Sequence, residues 1–457
     1  MKFLTREYYL PTLCFLAGLA MLLPLPVMQY VGEESYFAVS VIEMHITGDY
    51  WHHLILGHVW SKTPLYHWQA MALASLIGWE HVDIALRVVS VYSSWIAALA
   101  VGLLTRHLFQ AGANAGWLAA LLYLTMGEIS FWYGWLGYAD ANFGMFVFTA
   151  MAALWLAIER GHLGWFLLSL ILVSCAYLSK NISAYYFYGV AGLVLLYRMR
   201  QWHLLLHPGF IALGLISLLV PWWYQSTFVN TGSNSMIAIK DGLRNFHGYA
   251  FSDYFRHWLS YPFIFFFRSL PIGFFLLWLL LWKKVKFHLP AESVTLLLIL
   301  AVWFLPFWIS GGGSPRYLVP FYALVAIFFS GLLLQVKEKA RSQAVRLMII
   351  VLVLKIPYSL LVLPYIKDWR PERSLLAVVE DVLQRTEGET VRTLNDIASG
   401  LSIAAYMDVR LPPEQYIRWY RGEHGVYIMV DLPDATLGQL VKDYPIRGRH
   451  LYLYWKP

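Results

Sequence analysis

The sequence predicts an α-helical integral membrane protein of about eleven spans, closed by a small α/β domain. Three observations predict it. First, 59% of the 457 residues are hydrophobic and 13% charged, against about 25% charged in soluble domains. Second, apolar stretches of spanning length recur from the N-terminus to about residue 366, separated by polar loops. Third, residues 366–457 alternate helix and strand patterns instead. The 21 Trp and 30 Tyr suit rings anchoring helix ends at headgroup level. A net charge of +7 would suggest nucleic acid in a soluble protein. Here basic loops on one membrane face explain it, so the expected partner is the bilayer and not nucleic acid.

The first stretch, 8–30, follows MKFLTREYYL and lacks a small-residue cleavage site, so it is expected as a retained helix. The next are 84–105, 114–131, 141–158, 163–179, 183–198, 209–228, 260–282, 291–310, 316–335 and 346–366, of which 141–158 and 183–198 are short. With the N-terminus inside, every inner segment holds Lys or Arg: Lys2 and Arg6, Arg106, Arg160, Arg198 and Arg200, Lys283, Lys284 and Lys286, then Lys337, Lys339, Arg341 and Arg346. The first outer loop, 31–83, has one lysine and no arginine. This alternation sets a cytoplasmic N-terminus and an extracytoplasmic tail. Cys14 and Cys175 fall in apolar spans and offer no disulfide framework.

The expected domains are therefore a transmembrane domain, 1–365, and a soluble outer domain, 366–457. In the latter, RPERSLLAVVEDVLQR reads as an amphipathic helix, and TVRTLND, GVYIMVD and HLYLYWK as strands. DIASGLSIAAYM and TLGQLVKDY read as helices between them.

Within the first outer loop, Ser40, Glu43 and Thr47 recur at helical spacing. This predicts a helix over 35–47 lying in the membrane interface. A second helix starts near Pro64, with Thr63 as cap and Pro64 at the first helical position. Lys62 then stands beside a helix N-terminus, a pattern that suits an anion, or else a lysine snorkelling at the interface. Glu33 and Glu34 follow the first helix. Asp140 opens an apolar run, and Lys180 and Arg316 are isolated cations at span ends. Charges at membrane depth are costly and tend to be functional. The charge-rule topology, built without these residues, places Glu33, Lys62, Asp140, Lys180 and Arg316 on one face. Acids with several cations suit departure of an anionic leaving group and orientation of a nucleophile. His247 and Arg256, in the 229–259 outer loop, and Arg268 just beyond are further candidates for the same cavity. Six histidines crowd the first loop (His45, His52, His53, His58, His67 and His81), but no HxxxH pair is present and carboxylate neighbours are sparse, so polar interfacial histidines are the expectation and a divalent metal the lesser alternative.

In order and spacing these residues resemble GT-C glycosyltransferases of the aminoarabinose-transferase and protein O-mannosyltransferase type. Those proteins carry an acidic pair after the first helix, a Gly-Asp-aromatic turn, then Lys-Pro-Pro-Leu-aromatic-aromatic-Trp. Here these stand as Glu33-Glu34, Gly48-Asp49-Tyr50 and Lys62-Thr63-Pro64-Leu65-Tyr66-His67-Trp68. Arg87, Asp140, Leu178-Ser179-Lys180 and Pro315-Arg316-Tyr317-Leu318-Val319-Pro320 continue the match over about residues 30–335. The resemblance implies a GT-C fold and inverting transfer of a sugar from a polyprenyl (undecaprenyl-type) phosphate at the outer face of a bacterial inner membrane. The implied acceptor is a lipid such as lipid A, another glycan of the cell envelope, or a protein. Glu33 takes the place of the catalytic acid, with Glu34 beside it, and Asp140 that of its partner. Lys62, Lys180, Arg316, Tyr317, Tyr66 and Arg268 are placed on the donor and its lipid phosphate. Three positions depart from the pattern: Glu33 where Asp is usual, Tyr36 where Arg often stands, and Ser61 where a metal-binding acid precedes the lysine. The last speaks against a metal cofactor and against aminoarabinose. The alternative class is a transporter or flippase of a lipid-linked sugar. Against it, no inverted repeat and no mid-span charge pairs are visible.

Overall fold

Helices make up most of the computed structural model, which describes residues 8–60, 62–228, 251–310, 313–369, 373–394 and 398–457. The chain forms two units, Met1–Leu22 with Ser90–Trp135 and Ala139–Lys355, and Leu23–Val89 with Leu136–Tyr138 and Ile356–Pro457.

Among the described residues, six helices are long and apolar enough to cross a membrane: Trp79–Leu108, Ala139–Arg160, Pro208–Thr227, Ala291–Ile309, Pro315–Gln335 and Glu338–Lys367. Phe251–Arg268 and Ile272–Leu281 would add a seventh, broken by a bend of 102°. Tyr9–Ala20, Ala113–Thr125 and Leu163–Ser179 are apolar but shorter. Two predicted spans are interrupted. The first is α-helical only to Ala20, ahead of Pro24 and Pro26, whose rings cannot continue the ladder. The third stops at Thr125 because Met126 is extended (ψ 139°), and a separate short helix, Gly127–Phe131, follows.

In the first unit the Ala139–Arg160 and Leu163–Ser179 helices form an antiparallel pair, turned at Gly161 and capped by His162, which accepts from the Gly164 N–H. This sets the N-terminus of one helix beside the C-terminus of the next.

The second unit holds the 31–83 loop together with the C-terminal residues. Its Glu34–Thr47 helix, expected in the membrane interface, is buried instead. Ser40 and Glu43, two of the polar residues whose spacing predicted it, are enclosed, and the helix packs on Ala398–Asp408. A hairpin follows, β1 (His53–Ile55) and β2 (His58–Trp60). The second loop helix runs Leu65–Ile77, with Pro64 already in helical conformation just before it.

The C-terminal sheet contains β3 (Val391–Thr393), β4 (Arg418–Trp419), β5 (Val426–Val430), β6 (Gln439–Ile446) and β7 (Arg449–Lys456), in the order β4-β3-β5-β7-β6. The β3 pairings are parallel, and β5-β7 and β6-β7 antiparallel. The predicted strands are β3, β5 and β7, and the predicted helices Leu375–Thr386, capped by Ser374, and Ala398–Asp408. TLGQLVKDY is corrected from helix to strand: most of it lies in β6, which pairs with β7 across a tight turn at Arg447 and Gly448. Such pairing overrides a weak local helical pattern.

Candidate active site

Between Met28 and Glu34 the second unit has no regular structure, yet side chains engage its backbone almost residue by residue. Buried Arg87 donates to the carbonyls of Leu25, Met28 and Gln29 at 2.7–3.2 Å. It also pairs with Glu34 through Nε and Nη2 at 3.0 and 2.7 Å. The Glu34 carboxylate, 1% exposed, accepts besides from the N–H groups of Val31 (2.7 Å) and Gly137 (2.6 Å). Four donors on two oxygens leave it no room to accept another proton donor. Glu33 differs. Its side chain is exposed, while its N–H donates to the Tyr138 hydroxyl at 2.7 Å. Gly32 makes this possible. It sits at φ +60°, and a Cβ there would lie 2.5 Å from that hydroxyl.

Of the remaining candidates in this unit, Lys62 is exposed. Tyr66 is buried, packed edge-on against Phe37, with its hydroxyl donated to the Leu86 carbonyl. Several loop histidines are engaged in packing or pairing: His45 stacks on Trp79, His53 meets His67 edge-on at 4.4 Å, and His52 pairs with Asp49 at 2.7 Å.

In the first unit, Asp140 and Lys180 meet at 2.5 Å. Asp140 is in the first turn of its helix and Lys180 caps the C-terminus of the next, so each charge complements the local dipole. Asn142 fixes this junction, donating to Ser93 and accepting from Ser179, both at 2.9 Å. Gly144 adds a close approach. A Cβ there would lie 3.2 Å from Val319, so the Arg316 segment packs against the Asp140 helix. The Lys180 ammonium then lies 4.7 Å from the centre of the Tyr317 ring and 5.4 Å from that of Phe143, and Arg316 lies over the same Tyr317 ring at 5.4 Å.

Arg268, at the bend of the broken helix pair, grips Glu128 with one guanidinium nitrogen at 2.6 and 2.5 Å from the two carboxylate oxygens. Glu128 is fully buried. The neighbouring Gly127 N–H donates to the Leu270 carbonyl at 3.0 Å, so helix start and bend are locked together. Burial raises the pKa of the Tyr133 hydroxyl, and the charges acting on it are Arg316, Glu128, Asp140 and Arg268. One tyrosine thus feels four of the charges in this unit. Sequence reasoning missed Glu128. The available signal was the one that exposed Asp140, an isolated acid at the end of an apolar run, but it was absorbed into the predicted 114–131 span. Lys355 was also passed over. It is buried within its helix, over the rings of Trp135 and Phe131 at 5.1 and 5.6 Å. Arg256 is exposed, and His247 lies outside the described residues.

Comparison with known proteins bears on this arrangement. Residues 61–224 match the family described as dolichyl-phosphate-mannose-protein mannosyltransferase. The fold is similar to that of ArnT from Cupriavidus metallidurans bound to undecaprenyl phosphate, with a TM-score of 0.68 and 14% identity over 98% of both chains. In fold the chain is ArnT-like. The apo form of the same ArnT matches with a TM-score of 0.63 and 14% identity, again over 98% of both chains. The archaeal oligosaccharyltransferase AglB from Archaeoglobus fulgidus, in complex with an inhibitory peptide and a dolichol-phosphate, gives 0.50 at 13% identity, covering 93% of this chain and 70% of its own. No curated protein sequence matches significantly.

Proposed function

We propose that this glycosyltransferase moves a sugar from a polyprenyl phosphate to a lipid, glycan or protein acceptor, with inversion, at the outer face of a bacterial inner membrane. The N-terminus is then cytoplasmic and the C-terminal domain extracytoplasmic. The observation that carries this reading is the Asp140–Lys180 pair with Arg316 and Tyr317 gathered over it, in a fold it shares with a protein that binds undecaprenyl phosphate.

In the reaction, an acceptor oxygen attacks the anomeric carbon as the bond from that carbon to the phosphate oxygen breaks. Negative charge grows on the departing lipid phosphate. Lys180, Arg268 and Arg316 are assigned to that charge, with Lys62 on the same phosphate. Preorganised cations in a water-poor site stabilise the departing group more than the bound donor, which is where rate arises. Glu33 takes the proton of a hydroxyl acceptor, or orients an acceptor that is already an anion. Asp140 is its partner acid and holds Lys180 in place. Glu34 is assigned to holding the loop and not to proton transfer, because its lone pairs are committed.

Purified protein incubated with a panel of polyprenyl-phosphate sugars and membrane lipid extract, followed by mass spectrometry, tests the proposal. A new glycosylated product supports it. Movement of the intact donor across a bilayer with no new covalent product points to a flippase instead.

A further inference from the structure

The C-terminal domain has no role in the chemistry proposed above, yet it reaches the loop that carries Glu33. We propose that Arg447 is a positioning residue through which this domain holds Glu33 in register for transfer, an inference that rests on Glu33 acting as proposed.

Arg447 occupies the two-residue turn between β6 and β7 at φ +52°, followed by Gly448 at +78°. Both centres of such a turn favour Gly, Asn or Asp. An arginine in this left-handed conformation is uncommon enough to ask what its side chain does. Its Nη1 donates to the Tyr30 carbonyl at 2.8 Å, and its Nη2 to Asp368 at 2.7 Å. The other oxygen of Asp368 accepts from the Gln29 N–H at 3.0 Å. The Tyr30 N–H donates to the Tyr406 hydroxyl at 3.2 Å, and the Gln29 side chain accepts from the Leu375 N–H at 2.7 Å. Asp368 is 3% exposed on its side chain and Arg447 19%. The domain therefore holds the Gln29 N–H, the Tyr30 N–H and the Tyr30 carbonyl, the last only three residues before Glu33. On the other flank, Tyr138 and Glu34 pin Val31 and Glu33. Held at both ends, the exposed Glu33 side chain is presented from a backbone that cannot drift.

The test uses the full-length enzyme with Arg447→Met, Asp368→Asn and Tyr406→Phe, the last deleting only the hydroxyl that accepts from Tyr30. For Arg447→Met the expected result is a fall in kcat of about 10²-fold, the scale of loss an ångström of misplacement brings, with the KM for the donor changed less than twofold. The Gln29 to Glu33 amides should exchange hydrogen faster while those of the Ala139–Arg160 helix do not. The Asp368→Asn/Arg447→Met double variant should be no slower than the worse single one, and Arg447→Lys should recover part of the loss. Should Arg447→Met prove poorly folded, the same split between kcat and KM is expected, at smaller amplitude, in Tyr406→Phe. Wild-type kcat in Arg447→Met or in well-folded Tyr406→Phe, with Glu33→Gln inactive, overturns this inference alone. Normal turnover in Glu33→Gln removes the proposed role of Glu33 and this inference with it.

Discussion

Glu33 and Glu34 are adjacent in sequence and opposite in environment, so their substitutions should separate stability from chemistry. Removing the Glu34 charge leaves buried Arg87 with only its longer contact to Asp83, at 3.7 Å, and losing the partner of a buried charge costs up to about 3–5 kcal/mol. Glu34→Gln should therefore lower the thermal midpoint and the yield of folded protein. Glu33→Gln should leave both unchanged and abolish transfer. A thermal scan and a turnover assay on the same preparations check the pair, and equal midpoints would contradict the assignment of Glu34. The same logic applies to Glu128, whose carboxylate is the partner of the Arg268 guanidinium. Glu128→Gln should weaken binding of unglycosylated polyprenyl phosphate and steepen its salt dependence, because Arg268 is then less well held. Unchanged binding would separate Arg268 from the phosphate.

At the scale of elements, the apolar helices and the isolated charges at their ends were legible in the sequence, because both announce themselves by contrast with their surroundings. Asp140 and Lys180 were found that way. The breaks ahead of Pro24 and at Met126 were missed. What could not be read was whatever depends on distant partners. Ser40 and Glu43 look like an outward polar stripe until the Ala398–Asp408 helix covers them. Arg447 looks like a surface turn residue until Tyr30 and Asp368 meet it.

The buried Glu43 has a testable consequence. Its oxygens accept from the N–H groups of Leu56 (2.5 Å) and Gly57 (2.9 Å) in the turn between β1 and β2, and burial pushes its pKa from 4.5 up to about 7. A carboxyl whose pKa is raised on folding keeps its proton longer in the native state, so its contribution to stability falls as pH rises from about 4.5 to about 7. Buried His67 works in the opposite sense. Burial lowers its pKa from 6.5 to about 3, so stability is lost as pH falls through that window. Subtracting thermal midpoints of Glu43→Gln from wild type across pH 4–8 isolates the first effect. The wild-type advantage should shrink toward the upper end, and a flat difference would contradict it.

For the molecule as a whole, the ArnT-like fold supplies the scaffold, while the groups described above constrain the step. Asp140, Lys180, Glu128, Arg268 and Arg316 each lie within a turn of a helix end, where backbone dipoles and side-chain charge act together and water can be kept out. A carrier would need charges spaced along a path through its spans. The measurement that tests the account most directly is product analysis by mass spectrometry, with purified wild type and Asp140→Asn supplied with polyprenyl-phosphate sugars and envelope lipids. The account predicts a new glycosylated product and free polyprenyl phosphate with wild type, and neither with Asp140→Asn at equal protein level. Undiminished product from Asp140→Asn, or no covalent product from wild type with any donor in the panel, would contradict it.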